Sequence, residues 1–550
     1  MKHILKRLFA LLLVFSLLLL PSCSSISDYF DDYIMIGNAI TPDTDFSLTY
    51  DLTYPFNEEI ITQIENRFEK LDDLLKDNDL LRALPFLTLF SQQTADLYYL
   101  ADHAQLAYLK YCTDTVNNYS SLDEYTRLSG LYTDYSGRMI RMYRDIDNSV
   151  YKMLIFGAWD DSQVELALEL ADSYSEEIVE LVKKRDDRLS DYHRYNQNKG
   201  DFIERSAKVY KDVVELNDQI AKKSGYDNYA EYAYRLVYSR DYSPSEATNL
   251  HNYVKEYIVH LSKQISADIE GFKDNDKFGR EYKMLLTRDL ANKPKDYLTD
   301  YYDLMYENSN DFIDQWQSMT VLGDENSYPG AFTFSLNYYG QPICYYGNGY
   351  QDAFTVMHEQ GHFSAALEMP GGCDSLDLSE IHSQGNEWLY FAYAKENAKD
   401  AECYEQITKA MLFEDCLTII IATACDMFEQ KIYKEPTTSV AMYDFIFRDC
   451  LKELKAFELL EENMNMQPQL YWHYAIVANS VYYLSYAVSM IPSIEIYVTA
   501  EEEGLESAAE KYLALSEGEP VIGFKDALAY AELSSPFEEE VYVKIKEHFS

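Results

Sequence analysis

His358-Glu359-Gln360-Gly361-His362 constrains this chain more than any other stretch. On an α-helix two imidazoles four residues apart lie one turn above each other on one face, close enough to share a ligand. On that face both rings reach one metal ion, while Glu359 between them points at a water beside it. A zinc site of this kind takes a third protein ligand and leaves one coordination position open, so a second element must return to the first. The segment 376–389, LDLSEIHSQGNEWL, is the candidate: Glu380 is the expected third ligand, with Glu387 two turns further along the same face and His382 as alternatives. Pro370, Gly371 and Gly372 lie between the two stretches and predict the end of one helix and the reversal into the next. Gly361 costs ~1 kcal/mol relative to Ala inside a helix, so its presence predicts close backbone approach at that point. The pattern also occurs in ordinary surface helices, but Phe354, Val356, Met357, Ala365, Ala366 and Leu367 make the flanks apolar and favour a buried site.

From about 57 to 322 apolar residues recur at intervals of three and four, the period of amphipathic helices. Helices are predicted at 60–75, 86–111, 164–182 and 202–221, with breaks at Asp77-Asn78, 117–121, 196–200 and Ser243-Pro244. No repeat and no long Pro, Gly or Ser linker divides this region, so one helical body of two lobes is expected. Between 323 and 349 the helical period fades, and Phe332, Phe334, Leu336, Tyr338, Ile343, Tyr345 and Tyr346 predict a small sheet just before the metal helix. A sheet edge there can pair with an extended peptide through main-chain hydrogen bonds; a hairpin that merely packs on the lobe is the alternative. Helices resume at 388–399 and 404–433. The expected organisation is mainly α: a signal peptide at 1–22, a tether at 23–45, a helical lobe at 46–322 and a catalytic lobe at 323–550 carrying the sheet and the metal helix.

The leader has a basic start at Lys2, Lys6 and Arg7, then an apolar run over 8–20 that is short for a membrane span. Leu20-Pro21-Ser22-Cys23 follows and looks like a bacterial lipobox, which would make Cys23 the lipidated first residue; a plain secretory signal or an uncleaved anchor is the alternative. On each reading the folded part lies outside the cytoplasmic membrane. The formal net charge of −46 repels nucleic acid phosphates and anionic headgroups, so nucleic acid is not an expected partner. The acidity is spread along the chain and suits solubility or basic peptides. Eight cysteines without close spacing predict free buried thiols. Most of the 51 tyrosines read as packing residues with a polar tip, although pairs such as Tyr98-Tyr99, Tyr301-Tyr302 and Tyr338-Tyr339 also suit the lining of a peptide channel.

In 467–486, QPQLYWHYAIVANSVYYLSY, His473, Tyr482, Tyr483 and Tyr486 gather hydrogen-bond donors on a predicted helix face; the plain alternative is core aromatics beside Val477, Val481 and Leu484. Tyr328-Pro329-Gly330-Ala331-Phe332, Pro342-Ile343, Gly347 with Gly349, the HEQGH stretch and Glu380-Ile381-His382-Ser383 together resemble the zinc oligopeptidases of the thimet oligopeptidase and oligoendopeptidase F family. Gly225-Tyr226, Asn228-Tyr229, Arg240-Asp241-Tyr242 and Ser535-Pro536-Phe537 extend the likeness over about 45–550. The resemblance implies an almost wholly helical, two-lobed body around a deep channel that admits short unfolded peptides. It implies one Zn2+ on His358, His362 and Glu380, with Glu359 as general base. It further implies that His473, Tyr482 and Tyr486 face the metal and bind the oxyanion. The expected activity is that of an endopeptidase acting on oligopeptides outside the cytoplasm, held at the membrane by a lipid on Cys23. A zinc carboxypeptidase or dipeptidyl peptidase would use the same ligands. A non-catalytic lipoprotein that binds peptide or zinc is a further alternative, against which the intact Glu359 argues.

Overall fold

The computed structural model describes residues 46–49, 51–159, 161–193, 200–272, 294–350, 352–368, 375–398, 401–516 and 523–550. The leader 1–22, Cys23, the tether to 45, most of the break at 196–200 and the reversal at Pro370-Gly371-Gly372 lie outside them. Among the described residues the chain is mainly α with one three-stranded sheet. It forms two compact units, Met1–Lys183 with Leu336–Gly340, and Lys184–Ser335 with Gln341–Ser550. The sequence reading divides the chain at 322–323, whereas compactness groups 184–322 with the metal helices.

In the first unit the long helices are α1 (Glu59–Asp77), α2 (Ala83–Thr113), α3 (Tyr119–Asp147) and α4 (Asp161–Ser173). Helix α1 stops where Asp77-Asn78 predicts: Asn78 takes a left-handed φ of 49° and its N–H closes on the Leu74 carbonyl. The single helix expected at 164–182 is two, α4 and Glu176–His193. Ile64, Phe68, Leu71, Phe86, Leu100 and Ile146 form the core, beside a buried Arg67–Asp96 ion pair. Asp102, buried on α2, accepts the backbone N–H groups of Asn337 at 3.0 Å, Tyr338 at 2.8 Å and Tyr339 at 3.3 Å. Three converging donors compensate a carboxyl removed from water.

The second unit contains α5 (Phe202–Lys223), α6 (Pro244–Tyr253), α7 (Val259–Phe272), α8 (Pro294–Tyr302), α9 (Ser309–Ser318), α10 (Ala353–Glu368), α11 (Leu376–Glu396), α12 (Ala401–Lys434), α13 (Leu484–Glu503), α14 (Leu505–Ala514) and α15 (Glu539–Phe549). Residues 184–322 belong here because α5 packs on α12: Tyr210 donates to Glu429 at 3.1 Å and Asn217 to the Tyr433 hydroxyl at 2.9 Å, all four side chains being buried. The predicted sheet is present. Strand β3 (Gln341–Tyr346) lies between β1 (Thr320–Leu322) and β2 (Ala331–Leu336), and β1 runs parallel to β3 with Thr320 opposite Cys344. Ile343, Cys344, Tyr345 and Tyr346 are fully buried, as befits a central strand.

Helix α11 starts at Ser375, whose hydroxyl accepts the Leu378 N–H at 3.3 Å, and runs unbroken through the stretch where a fresh helix is expected at 388. It lies on α10 with the backbones touching. A Cβ at Gly361 would stand 2.2 Å from the His382 carbonyl oxygen and 2.7 Å from the Ser383 Cα. The close approach predicted from Gly361 is therefore the contact between these two helices. Cys112, Cys344, Cys403, Cys416, Cys425 and Cys450 are free and buried. Among the described residues no helix is long and apolar enough to cross a membrane.

Candidate metal centre

The HEQGH stretch occupies the middle of α10, and Glu380 lies in the second turn of α11. Because the two backbones meet at Gly361, Glu380 faces both histidines: its Oε2 is 3.6 Å from His358 Nε2 and 3.8 Å from His362 Nε2. One donor atom from each of the three residues falls within 4.8 Å of the others. The separations from Glu380 exceed hydrogen-bond length. They lie near the roughly 3.4 Å that two ~2.1 Å bonds at a tetrahedral ion impose on their donors. Two imidazoles and a carboxylate are also the donor chemistry zinc accepts, so these residues fit the ion.

The surrounding groups hold the donors in place. His358 Nδ1 donates to Glu387 at 2.7 Å, which leaves Nε2 to face Glu380. Glu387, the alternative ligand by sequence, thus supports His358 from its far side. His362 Nδ1 is 3.2 Å from the Ser379 hydroxyl. Glu380 receives Ser383 Oγ at 3.1 Å on Oε2 and the Tyr482 hydroxyl on Oε1. Burial opposes charge on His358, but the Glu387 bond and nearby carboxylates outweigh it and push its pKa up to about 10. Burial brings His362 down to about 4 against the pull of Glu380. Glu359 is buried, which pushes its carboxyl up to about 7, and Thr333 Oγ1 on β2 donates to its Oε2 at 2.7 Å.

His358, Glu359, His362, Glu380, Ser379 and Thr333 line a cavity of about 300 Å3 with Phe332, Phe334, Tyr482 and Tyr486. The rings of Tyr482 and Tyr486 meet edge-on with centroids 5.3 Å apart. Burial, reinforced by the charge of Glu380, holds both hydroxyls well above the usual range, so they remain donors at neutral pH.

The structure does not bring His473 to this cavity. Its Nδ1 is 2.9 Å from Ser206 Oγ, its Nε2 is 3.2 Å from Asp444, and its ring stacks on Trp472. The single helix face imagined over 467–486 does not exist. A short turn at Pro468–Leu470 and another at Trp472–Ala475 precede a bend in which Val481 has φ 66°, and α13 starts only at Leu484. Helical spacing therefore does not carry across from His473 to the tyrosines. Tyr483 turns to Tyr471, at 3.1 Å between hydroxyls. His382 is buried outside the three-residue cluster, and its carbonyl accepts the Tyr512 hydroxyl at 2.8 Å. Thr333 and Ser379 were not singled out from the sequence, and Ser383 enters there only as the last residue of the Glu380-Ile381-His382-Ser383 patch. Only adjacency to Glu380 marks Ser379 there, and nothing in a strand of alternating aromatics marks Thr333.

Fold and cluster together give a mainly helical protein with a two-histidine, one-glutamate cluster that could hold a metal ion, on an HExxH helix. Solved structures with this fold include PZ peptidase A with an inhibitor, at a TM-score of 0.75 and 17% identity over 90% of this chain and 98% of that one. A structure assigned as oligoendopeptidase F from Bacillus anthracis str. Ames has a TM-score of 0.71 and 16% identity over 92% and 97% of the two chains. Oligoendopeptidase-F from Enterococcus faecium has 0.56 and 13% over 90% and 96%. No protein-family model and no curated protein matches the sequence. The chain has the oligoendopeptidase F and PZ peptidase fold, in agreement with the motif resemblance.

Proposed function

We propose that this protein is a zinc-dependent endopeptidase that hydrolyses short unfolded oligopeptides outside the cytoplasmic membrane. The observation that carries the reading is the convergence of His358, His362, Glu380, Glu359 and two tyrosines on one cavity. The peptidase descriptions of proteins sharing the fold support it. His358, His362 and Glu380 would hold the zinc, which would supply Lewis acidity toward a water and the scissile carbonyl.

Glu359 takes the proton of the attacking water and passes one to the leaving amine. Its buried carboxyl lines the same cavity as the three ligands, which is where a general base acting on a water there has to stand. Thr333 fixes the orientation of that carboxyl. Tyr486 offers its hydroxyl to the developing oxyanion, a donor worth roughly 3 kcal/mol of barrier where water is excluded. Tyr482 directs its hydroxyl to Glu380 and so orients a ligand. Strand β2 both lines the cavity and ends the strand order β1-β3-β2, which suits main-chain pairing with an extended peptide of varied sequence. The site of action, and attachment by a lipid on Cys23, rest on the leader at 1–23.

The test compares the mature protein with Glu359→Gln for zinc content and for cleavage of an internally quenched peptide blocked at both ends. Equal zinc with cleavage by the wild type alone is the expected result. Cleavage only of peptides with a free end would make the enzyme a carboxypeptidase or dipeptidyl peptidase. Bound zinc without cleavage of either peptide would leave a binding lipoprotein.

A further inference from the structure

The bend that presents Tyr482 is strained and is gripped from several sides. Val481 is β-branched and has a φ of 66°, a conformation such residues rarely adopt unless their surroundings enforce it. Its N–H donates to both carboxyl oxygens of Glu429, each at 2.9 Å. The preceding carbonyl, of Ser480, accepts the Tyr238 hydroxyl at 2.6 Å. Two residues beyond Tyr482's own neighbour, Ser485 Oγ accepts from Arg240 at 3.2 Å. Arg240 Nε is also 3.3 Å from Asp377, which lies on α11 one turn before Glu380. One guanidinium thus ties the bend carrying Tyr482 to the helix carrying Glu380. Tyr238, Arg240, Asp377 and Glu429 are all buried.

The grip has its own scaffold. Tyr238 and Arg240 follow a stretch of π-helix at Ala233–Val237, and Ser239 between them has a left-handed φ of 48°. The guanidinium carbon lies 4.4 Å from the Tyr234 ring centre and 4.9 Å from that of Tyr238. Tyr242 donates to the same Asp377 oxygen at 2.6 Å and packs on Phe537, centroids 4.5 Å apart. The outlying Arg240-Asp241-Tyr242 and Ser535-Pro536-Phe537 patches therefore meet, behind the tyrosine bend.

We infer that Glu429, Tyr238 and Arg240 are positioning residues that hold the 480–485 bend in its strained form, setting the Tyr482 hydroxyl against Glu380. The inference rests on the peptidase reading for its kinetic consequence, but its structural consequence stands apart from that reading. A backbone enforced into an unfavourable conformation relaxes when its anchors go, and Tyr482 then no longer meets the ligand carboxylate. Removing one partner of a buried ion pair is severely destabilising, so Arg240 variants are poor probes. Tyr238→Phe and Glu429→Gln change one functional group each and keep side-chain shape.

The experiment uses the full mature protein in five forms: wild type, Tyr238→Phe, Glu429→Gln, Tyr482→Phe and Tyr482→Phe with Glu429→Gln. It measures amide hydrogen exchange over 479–485, zinc content, and kcat and KM on the blocked peptide. The expected result is exchange at least tenfold faster in that segment for Tyr238→Phe and Glu429→Gln, with exchange in α10 unchanged. Their kcat falls about tenfold with KM little altered, and Glu429→Gln adds nothing once Tyr482 is Phe, because it acts through that residue. Unchanged exchange at 479–485 in both single variants overturns the inference, as does a kcat loss that adds in full to that of Tyr482→Phe. If wild type cleaves no peptide the peptidase reading fails, and the exchange data alone then decide whether the bend is held as described. Should Glu429→Gln fail to fold, Tyr238→Phe decides the outcome by the same exchange and kinetic criteria.

Discussion

Two residues near the candidate metal ligands test how the site is built. Gly361 lets α10 and α11 touch, since any Cβ would sit 2.2 Å from a backbone oxygen that cannot move alone. Gly361→Ala should therefore lower stability by about 1–3 kcal/mol or more and reduce zinc content, read by thermal melting and metal analysis. A stabilisation of ~1 kcal/mol, as helix propensity alone predicts, would contradict the packing account. Glu387 is bonded to His358 Nδ1 at 2.7 Å. Glu387→Gln should weaken zinc binding about 10–100-fold in competition with a chelating dye. An unaltered affinity would mean that Glu387 does not orient the ligand.

Single elements are also held by identifiable groups. Helix α6 opens with a capping box: Ser243 Oγ accepts the Glu246 N–H at 3.3 Å, and Glu246 accepts the Ser243 N–H at 2.8 Å, with Pro244 following. Ser243→Ala should cost about 1 kcal/mol in urea unfolding. The turn Leu336–Gly340 hangs on Asp102, whose carboxyl burial pushes up to about 7 although three N–H donors pull the other way. The folded form then binds this proton more tightly than the unfolded chain, where the pKa is about 3.9. The resulting stabilisation is complete below about pH 4 and is lost as pH rises through about 7. The stability of wild type relative to Asp102→Asn should fall over that window by as much as about 4 kcal/mol, and a difference flat with pH would refute the assignment.

The molecule as a whole carries a net charge of −46, and the metal site adds Glu359, Glu380 and Glu387 around two histidines. A bound cation offsets that local excess, so chelation should lower the melting temperature and zinc at 100 times its Kd should restore roughly 2.7 kcal/mol. Self-repulsion across the surface predicts a second rise in melting temperature between about 0.01 and 0.5 M salt, as the screening length shortens from ~30 Å.

Local chemistry made much of this legible in the sequence. Helical period, the breaks at Asp77-Asn78 and Ser243-Pro244 and the aromatic strands before the HEQGH helix are each decided within a few residues, and the structure forms all of them. The pairing of His358 and His362 follows from helix geometry, and the cost of Gly361 announced a close neighbour without naming it. What remained hidden depends on groups distant in the chain. Whether Glu380 or Glu387 meets the imidazole Nε2 atoms turns on how α11 is rotated against α10, which periodicity leaves open because both lie on one face. The tyrosine bend departs from helical spacing because Glu429, Tyr238 and Arg240 hold Val481 at a φ that its own side chain disfavours, and the same departure leaves His473 beside Ser206 and Asp444. The sequence alone determined which elements form and which residue types could bind a metal. Tertiary structure alone decided which side chains meet, because burial and long-range hydrogen bonds can outweigh local preference at the few positions that shape the site.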